Sequence, residues 1–287
     1  MDVNLILCDG ATLTDNKGIN VDPESSLSIY GQSGDTGKLC IHARYHEDPD
    51  AGNNAALIGG TYDAGNISIY GGTIDLVTGF NNEERYHGAG IGGGKNGSPK
   101  QIKIYGGFIK CDTEGNDSAC IGGGSGAMAS SYDGEGIVIY GGELDLRSSY
   151  GAAIGNGKNC TGSTGSIGIY GGTITAESAI GAGIGGGENG GNGPVNIYGG
   201  YVTAVSTARE CGAGIGGGAN ASQSAPIRIL GGTVVASAKK ARVSAAESKG
   251  AAMSIYIPML SSVRSLLRRN PTRHLRICST CVSETLK

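Results

Sequence analysis

Tryptophan is absent from the 287-residue chain, phenylalanine occurs twice, and aromatic residues make up 5% of the whole. A large core built on aromatic rings is thereby excluded. Charged residues are 16% of the chain, too few for a charged disordered segment. The 7 prolines, and glycines that do not fall at every third position, exclude collagen. No run of about 18 apolar residues is present, so no helix of this sequence spans a membrane. What is abundant is glycine, 55 residues or about a fifth of the chain, against an ordinary share of about 7%. Such a composition fits a repetitive fold in which tight turns recur.

The repeat is explicit. Ile-Tyr-Gly occurs at Ile29, Ile69, Ile104, Ile139, Ile169 and Ile197, and Ile229-Leu230-Gly231 is a degenerate seventh copy. Interleaved with these, Ile-Gly-Gly or Ile-Gly-Asn recurs at Ile58, Ile91, Ile121, Ile154, Ile184 and Ile215. Both series advance by roughly 30 to 40 residues at a step, inside the range of structural repeats. Two motifs sharing one period define a single structural unit used about seven times.

Within a unit the apolar residues alternate, as Ile167 and Ile169 do around Gly168, which places them on one face of a strand. Each unit supplies three short strands separated by bends that glycine permits. None can bury its apolar face alone. Stacking the units aligns Ile69, Ile104, Ile139, Ile169, Ile197 and Ile229 in one interior column. Ile74, Ile109, Leu144, Ile174, Val202 and Val234 form a second, and Ile91 to Ile215 a third. The expected fold is all-β, a parallel β-helix of about seven three-strand coils, right-handed as parallel crossovers are. A propeller is the rival architecture, but its blades need four strands of ordinary length. The expected organisation is an opening coil or cap at 1–26, repeats at 27–238, and a basic tail at 239–287.

The blocks Ile169-Tyr-Gly-Gly-Thr-Ile-Thr-Ala176 and Gly181-Ala-Gly-Ile-Gly-Gly-Gly187, together with the leader Val3 to Thr14, resemble the glycine-rich β-helical repeats of large secreted or wall-anchored proteins of gut Firmicutes. The resemblance extends over residues 1–238. It implies an extracellular, adhesive or glycan-binding role, a secreted or cell-wall location, and a signal peptide upstream in a longer precursor. Two departures stand out: Gly31 to Leu39 carries an insertion where later units read Gly-Gly-Thr-Ile, and the shorter segments Val3–Leu7, Thr12–Thr14 and Ile19–Val21 read as an incomplete opening coil.

Charge is unevenly divided. Residues 239–287 hold 10 basic and 2 acidic residues, a net of +8, whereas residues 1–238 hold 12 basic and 23 acidic, a net of −11. The acidic body repels phosphates, so nucleic acid is excluded as its partner. In the tail, Met259, Leu260, Val263, Leu266 and Leu267 fall at helical spacing. A short helix over the last coil, a membrane-surface helix, disorder and a truncated further segment are all open there. His274, Cys278 and Cys281 form half of a zinc site, but tetrahedral closure needs a fourth ligand; a vicinal thiol pair and unligated thiols are the alternatives. The other six cysteines share no column, so buried free thiols acting as small apolar fillers are expected.

No catalytic set emerges. Asp75, Lys110 and Asp145 occupy equivalent outward positions in successive units, an order that a charge-matched ladder selects rather than a pair of catalytic carboxylates. Six copies of Gly-Ile-Gly-Gly-Gly or its variants, without a following Lys-Ser/Thr, are architecture and not a phosphate loop; no cofactor is expected. The tyrosine column reads as a structural ladder, or as a flat strip for sugars or a partner. Binding residues are sought in the loops before each Ile-Gly-Gly block, where Tyr45, His46, Phe80, Tyr86, His87 and Tyr150 set rings beside carboxylates and amides, a combination suited to sugars. The expectation is a non-enzymatic surface stalk or adhesin module. A carbohydrate-binding module contacting a glycan or a cell-surface protein is the alternative, and a polysaccharide lyase or hydrolase the second.

Overall fold

The computed structural model describes residues 1–43, 54–78, 86–113, 115–127, 135–160, 165–223 and 225–239, and the backbone of 255–256. Among the described residues the chain passes in turn through three sheets, and every strand pairing is parallel. The first sheet holds nine strands: Asp2–Leu7, Ser26–Gly31, Ala64–Ile69, Pro99–Ile104, Glu135–Ile139, Ser166–Ile169, Val195–Ile197, Ile227–Ile229 and Ile255–Tyr256. The second holds eight: Thr12–Asp15, Lys38–Ala43, Thr73–Thr78, Phe108–Thr113, Glu143–Ser148, Thr173–Ser178, Tyr201–Ser206 and Thr233–Ala238. The third holds seven very short strands, Ile19–Asn20, Ile58–Gly59, Ile91–Gly92, Ile121–Gly122, Ile154–Gly155, Ile184–Gly185 and Ile215–Gly216. Seven complete coils follow, and an eighth supplies strands to the first two sheets. The fold is a parallel β-solenoid, with no helix among the described residues.

The expected columns are in register. Ile29 pairs with Ile69, Ile69 with Ile104, Ile104 with Ile139, Ile139 with Ile169 and Ile169 with Ile197, and all six are wholly buried. Leu39, Ile74, Ile109, Leu144, Ile174 and Val202 line the second sheet in the same way. Fully burying one such side chain stabilises the fold by about 1.5–3 kcal/mol, and each is a neighbour of its own equivalent above and below.

The opening coil corrects the expectation of an incomplete one. Asp2–Leu7 is as long as any strand of its sheet and pairs residue for residue with Ser26–Gly31. Leu7 is buried and Leu5 packs against the core, whereas Val3, in register with Leu27, is 40% exposed at the open end of the solenoid. The insertion after Gly31 is clipped to this coil: the Asp9 carboxylate accepts hydrogen bonds from the Gly34 and Thr36 amides at 2.9 and 3.2 Å, which hold its pKa below the usual carboxylate value.

Glycine is demanded where the third sheet is narrowest. Gly122 has φ +134°, and a Cβ there would lie 2.0 Å from the Gly155 carbonyl oxygen of the next coil. Gly10 also has positive φ, +72°, but a Cβ there would meet nothing within 4 Å. The pair separates dihedral strain from collision. Gly10→Ala should lose about 1–2 kcal/mol, the cost of a left-handed L-residue. Gly122→Ala should lose more than about 4 kcal/mol, a range reached when packed backbone must move. Urea denaturation of both variants checks this, and equal losses would refute the close packing of the third sheet.

Candidate functional site

The corner flanking the third sheet gathers a cluster of polar side chains from successive coils. Each turn that leaves this sheet docks on the loop that enters it one coil below. The amides of Lys95, Ser125, Lys158 and Glu188 donate to the carbonyls of Asn54, His87, Asp117 and Tyr150 at 2.7–2.8 Å. Side chains a whole repeat unit apart in sequence are thereby superposed.

His87, Asp117, Lys158 and Glu188, from four successive coils, form a chain of ionisable groups. His87 Nδ1 lies 3.7 Å from Asp117 Oδ2, Lys158 Nζ lies 3.9 Å from Asp117 Oδ1, and Lys158 Nζ lies 2.9 Å from Glu188 Oε2. Lys158 Nζ also sits 4.4 Å from the centroid of the Tyr150 ring, within range of a cation–π attraction. These side chains are 14–25% exposed, so the pairs are screened less than free surface pairs. Lys158 is the hub of the cluster.

Beside it runs an amide ladder that inspection of the sequence missed. Asn96, Asn159, Asn189 and Asn220 all have positive φ, from 58 to 61°, a region that asparagine tolerates. Asn220 Nδ2 donates to Asn189 Oδ1 at 3.3 Å, and Asn189 Nδ2 to Asn159 Oδ1 at 2.8 Å. The available signal was an asparagine at the fifth position after each of Ile91, Ile154, Ile184 and Ile215.

Of the residues expected to bind ligand, His87 and Tyr150 stand at this corner. Tyr86 does not present its ring: it is 2% exposed and packs with the core. Its amide donates to Asn116 Oδ1 at 2.7 Å, and Asn116 Nδ2 donates to Thr78 Oγ1 at 2.6 Å. The backbone is thus tied down, and the ring turns inward. Tyr45, His46 and Phe80 lie outside the described residues, as do His274, Cys278, Cys281 and the apolar stretch from Met259 to Leu267.

On the outer face of the second sheet the expected order of acid, base and acid is in register, with a second such column next to it. Lys110 is in register with Asp75 and Asp145, and Arg147 with Asp112 and Glu177. Lys110, Asp112, Asp145 and Arg147 border one shallow hollow. The carboxylate of Asp75 lies 3.3 Å from His42 Nε2. Among the described residues no three His, Cys, Asp or Glu side chains are grouped to hold a metal ion.

Four of the six described cysteines, Cys111, Cys120, Cys160 and Cys211, are buried free thiols as expected. Cys8 is exposed and Cys40 half-buried, which corrects the filler role for those two: Cys8 follows the first strand of the opening coil, and Cys40 points outward between buried Leu39 and Ile41. Cys111 stands in register with Leu76 and Leu146, and a hydrogen bond with Cys120 and then burial raise its pKa.

Three stretches of the chain, residues 67–95, 167–188 and 195–219, match the family model described as a beta helix repeat. Nothing among curated proteins matches the chain, and no solved structure does.

Two outcomes follow. Removing the hub with Lys158→Ala leaves the largely buried Asp117 and Glu188 carboxylates without the cation they share, and should cost about 1–3 kcal/mol in denaturant melts. Adding Glu188→Gln should return part of that loss, and additive effects would show that the groups are not coupled. Burial pushes the Tyr86 phenol up to about 12 from its ordinary 10, and the Cys160 thiol up to about 12 from 9. Both stay protonated in the fold while the unfolded chain ionises. Their contribution is complete below about pH 9 and is lost as pH rises toward 12, by about 3 kcal/mol for Tyr86. Tyr86→Phe should flatten this alkaline slope in melts taken between pH 9 and 12, and an unchanged slope would contradict the buried phenol.

Proposed function

We propose that this chain is a non-enzymatic surface module of the stalk or adhesin type, working outside the cell by virtue of its length and stiffness. The observation that carries this reading is the constancy of the second sheet. From Thr73–Thr78 to Thr233–Ala238, successive strands of equal length pair without a shift in register, so the cross-section is maintained from coil to coil. The ionisable groups are spent on one another between coils, as around Lys158. A rod of this kind adds about 4.8 Å of reach for each coil.

A second reading, carbohydrate binding at the third-sheet corner, is favoured by the Tyr150 ring beside Lys158, which reaches the Asp117 and Glu188 carboxylates, and by the Asn159–Asn189–Asn220 amides on the turns of the same corner. An aromatic face with fixed polar groups beside it suits a sugar.

Incubating the chain with pectic and host glycans, with and without calcium, should release no reducing ends and no unsaturated products. Deleting residues 141–170, one whole unit, should leave a protein that still melts cooperatively. Released product would overturn the stalk reading. On a glycan array the second reading expects binding that Tyr150→Ala abolishes, and an array without signal removes it.

A further inference from the structure

Six tyrosines stack on the outside of the first sheet. Ring centroids are 4.6 Å apart for Tyr30–Tyr70 and for Tyr70–Tyr105, with planes within 2° of parallel. Tyr105–Tyr140 follows at 4.9 Å and 13°, Tyr140–Tyr170 at 5.2 Å and 24°, and Tyr170–Tyr198 at 4.5 Å and 12°. This arrangement uses up the faces of the rings. What remains open is their edges: Tyr70, Tyr105, Tyr140, Tyr170 and Tyr198 are 39–44% exposed. A sugar has no ring face to lie against within the column, so the sugar-binding strip entertained from the sequence loses its surface there.

Exposed edges over stacked faces suit a different chemistry. Stacking brings the ring carbons beside the hydroxyl of one phenol close to those of the next, and these carbons carry the unpaired spin of a phenoxyl radical. The geometry points to the tyrosine column as a site of oxidative modification, in which neighbouring coils become joined by dityrosine links under a peroxidase and hydrogen peroxide. Each of two tyrosines gives up one electron and one proton to become a phenoxyl radical. The two radicals form one carbon–carbon bond between carbons ortho to their hydroxyls. Each ring then regains aromaticity by moving the hydrogen of its coupled carbon to its oxygen. One hydrogen peroxide takes up the two electrons and two protons and leaves as two waters, so the balance closes.

Each link would close a loop of one repeat unit along the rod, the longest between Tyr30 and Tyr70 and the shortest between Tyr170 and Tyr198. Constraining such loops in the unfolded chain stabilises the folded one. Tyr30–Tyr70 and Tyr70–Tyr105, the most nearly parallel pairs, should couple ahead of Tyr140–Tyr170, the widest and most tilted. Tyr201 provides an internal contrast: it is 51% exposed, yet its register neighbours are Thr173 and Thr233, so it has an oxidisable edge and no stacked phenol in its own column. The inference stands on this geometry and not on the stalk reading, and it can fail without affecting that reading.

The test is oxidation of dilute full-length chain with hydrogen peroxide and a haem peroxidase, followed by digestion and mass spectrometry. Expected are dityrosine peptides joining successive column tyrosines, in a product that still migrates as a single chain. A variant with Tyr70→Phe, Tyr140→Phe and Tyr198→Phe leaves no two adjacent phenols while keeping every ring, and should lose the within-chain links; Tyr201→Phe should keep them. If the triple variant does not melt like its parent, Tyr70→Phe alone should delete the two links it shares and preserve Tyr170–Tyr198. Links formed only between chains, or within-chain links undiminished in these variants, would overturn the inference.

Discussion

The constraint on which this structure depends is the superposition of each side chain on its own equivalent one coil away, at the spacing of hydrogen-bonded parallel strands. That spacing admits few side-chain columns. Identical aliphatics are content, and the isoleucines at 29, 69, 104, 139, 169 and 197 are wholly buried against one another. Identical charges are not, because like charges directly opposite destabilise a strand pair. The outer face of the second sheet therefore alternates, Asp75–Lys110–Asp145 in one column and Asp112–Arg147–Glu177 in the next. Asparagines satisfy the same constraint by passing one amide hydrogen bond along the axis, and tyrosines by stacking ring on ring. Where backbone meets backbone, as at Gly122 and Gly155, the only acceptable column is one without side chains.

The same rule accounts for polar groups inside the solenoid. Thr113, Ser148, Ser178 and Ser206 form an inward column at the end of the second-sheet strands and are almost fully buried. Left unpaired, each hydroxyl would cost about 1–3 kcal/mol. Instead Ser148 Oγ lies within donating reach of the Ser118 and Gly151 carbonyls, and Ser178 Oγ within reach of those of Ser149 and Gly151, all at 2.8–3.0 Å. Small hydroxyl residues thus tie the second-sheet strands to the bends that leave this sheet, Ser148 to its own bend and Ser178 to the bend of the coil below, where a larger apolar side chain would meet carbonyls.

How much of this could be read in advance divides along the same line. The three aliphatic columns, the Cys111 position and the Asp75–Lys110–Asp145 register were legible, because a column is a period in the sequence and a period can be counted. The amide ladder obeys the period too, but it is broken at Gly126, where a Cβ would sit 2.4 Å from Asn96 Oδ1, and the gap concealed it. Tyr86 was misjudged for another reason. It lies in a loop that differs from unit to unit, and its burial is decided by Asn116, one unit later, and by Thr78, at the end of the strand before it. A loop position shows no period, so nothing in one sequence says which way its side chain turns.

Chemistry in such a rod must arise between coils, since each coil alone contributes one or two reactive groups to any face. The cluster around Lys158 shows how: a histidine, an aspartate, a lysine and a glutamate at 87, 117, 158 and 188 are brought to ion-pair distance one after another through docking of each turn on the loop below. No local motif encodes it. Sliding the chain by one unit would set Lys158 against different partners while leaving the hydrophobic columns unchanged, so the columns do not specify this corner. What fixes the order of the coils is covalent continuity, with each loop able to reach only the coil next to it. The regular interior therefore supplies position, and the irregular corners, which contribute little to the aliphatic columns, are the part of the molecule free to vary in what they present.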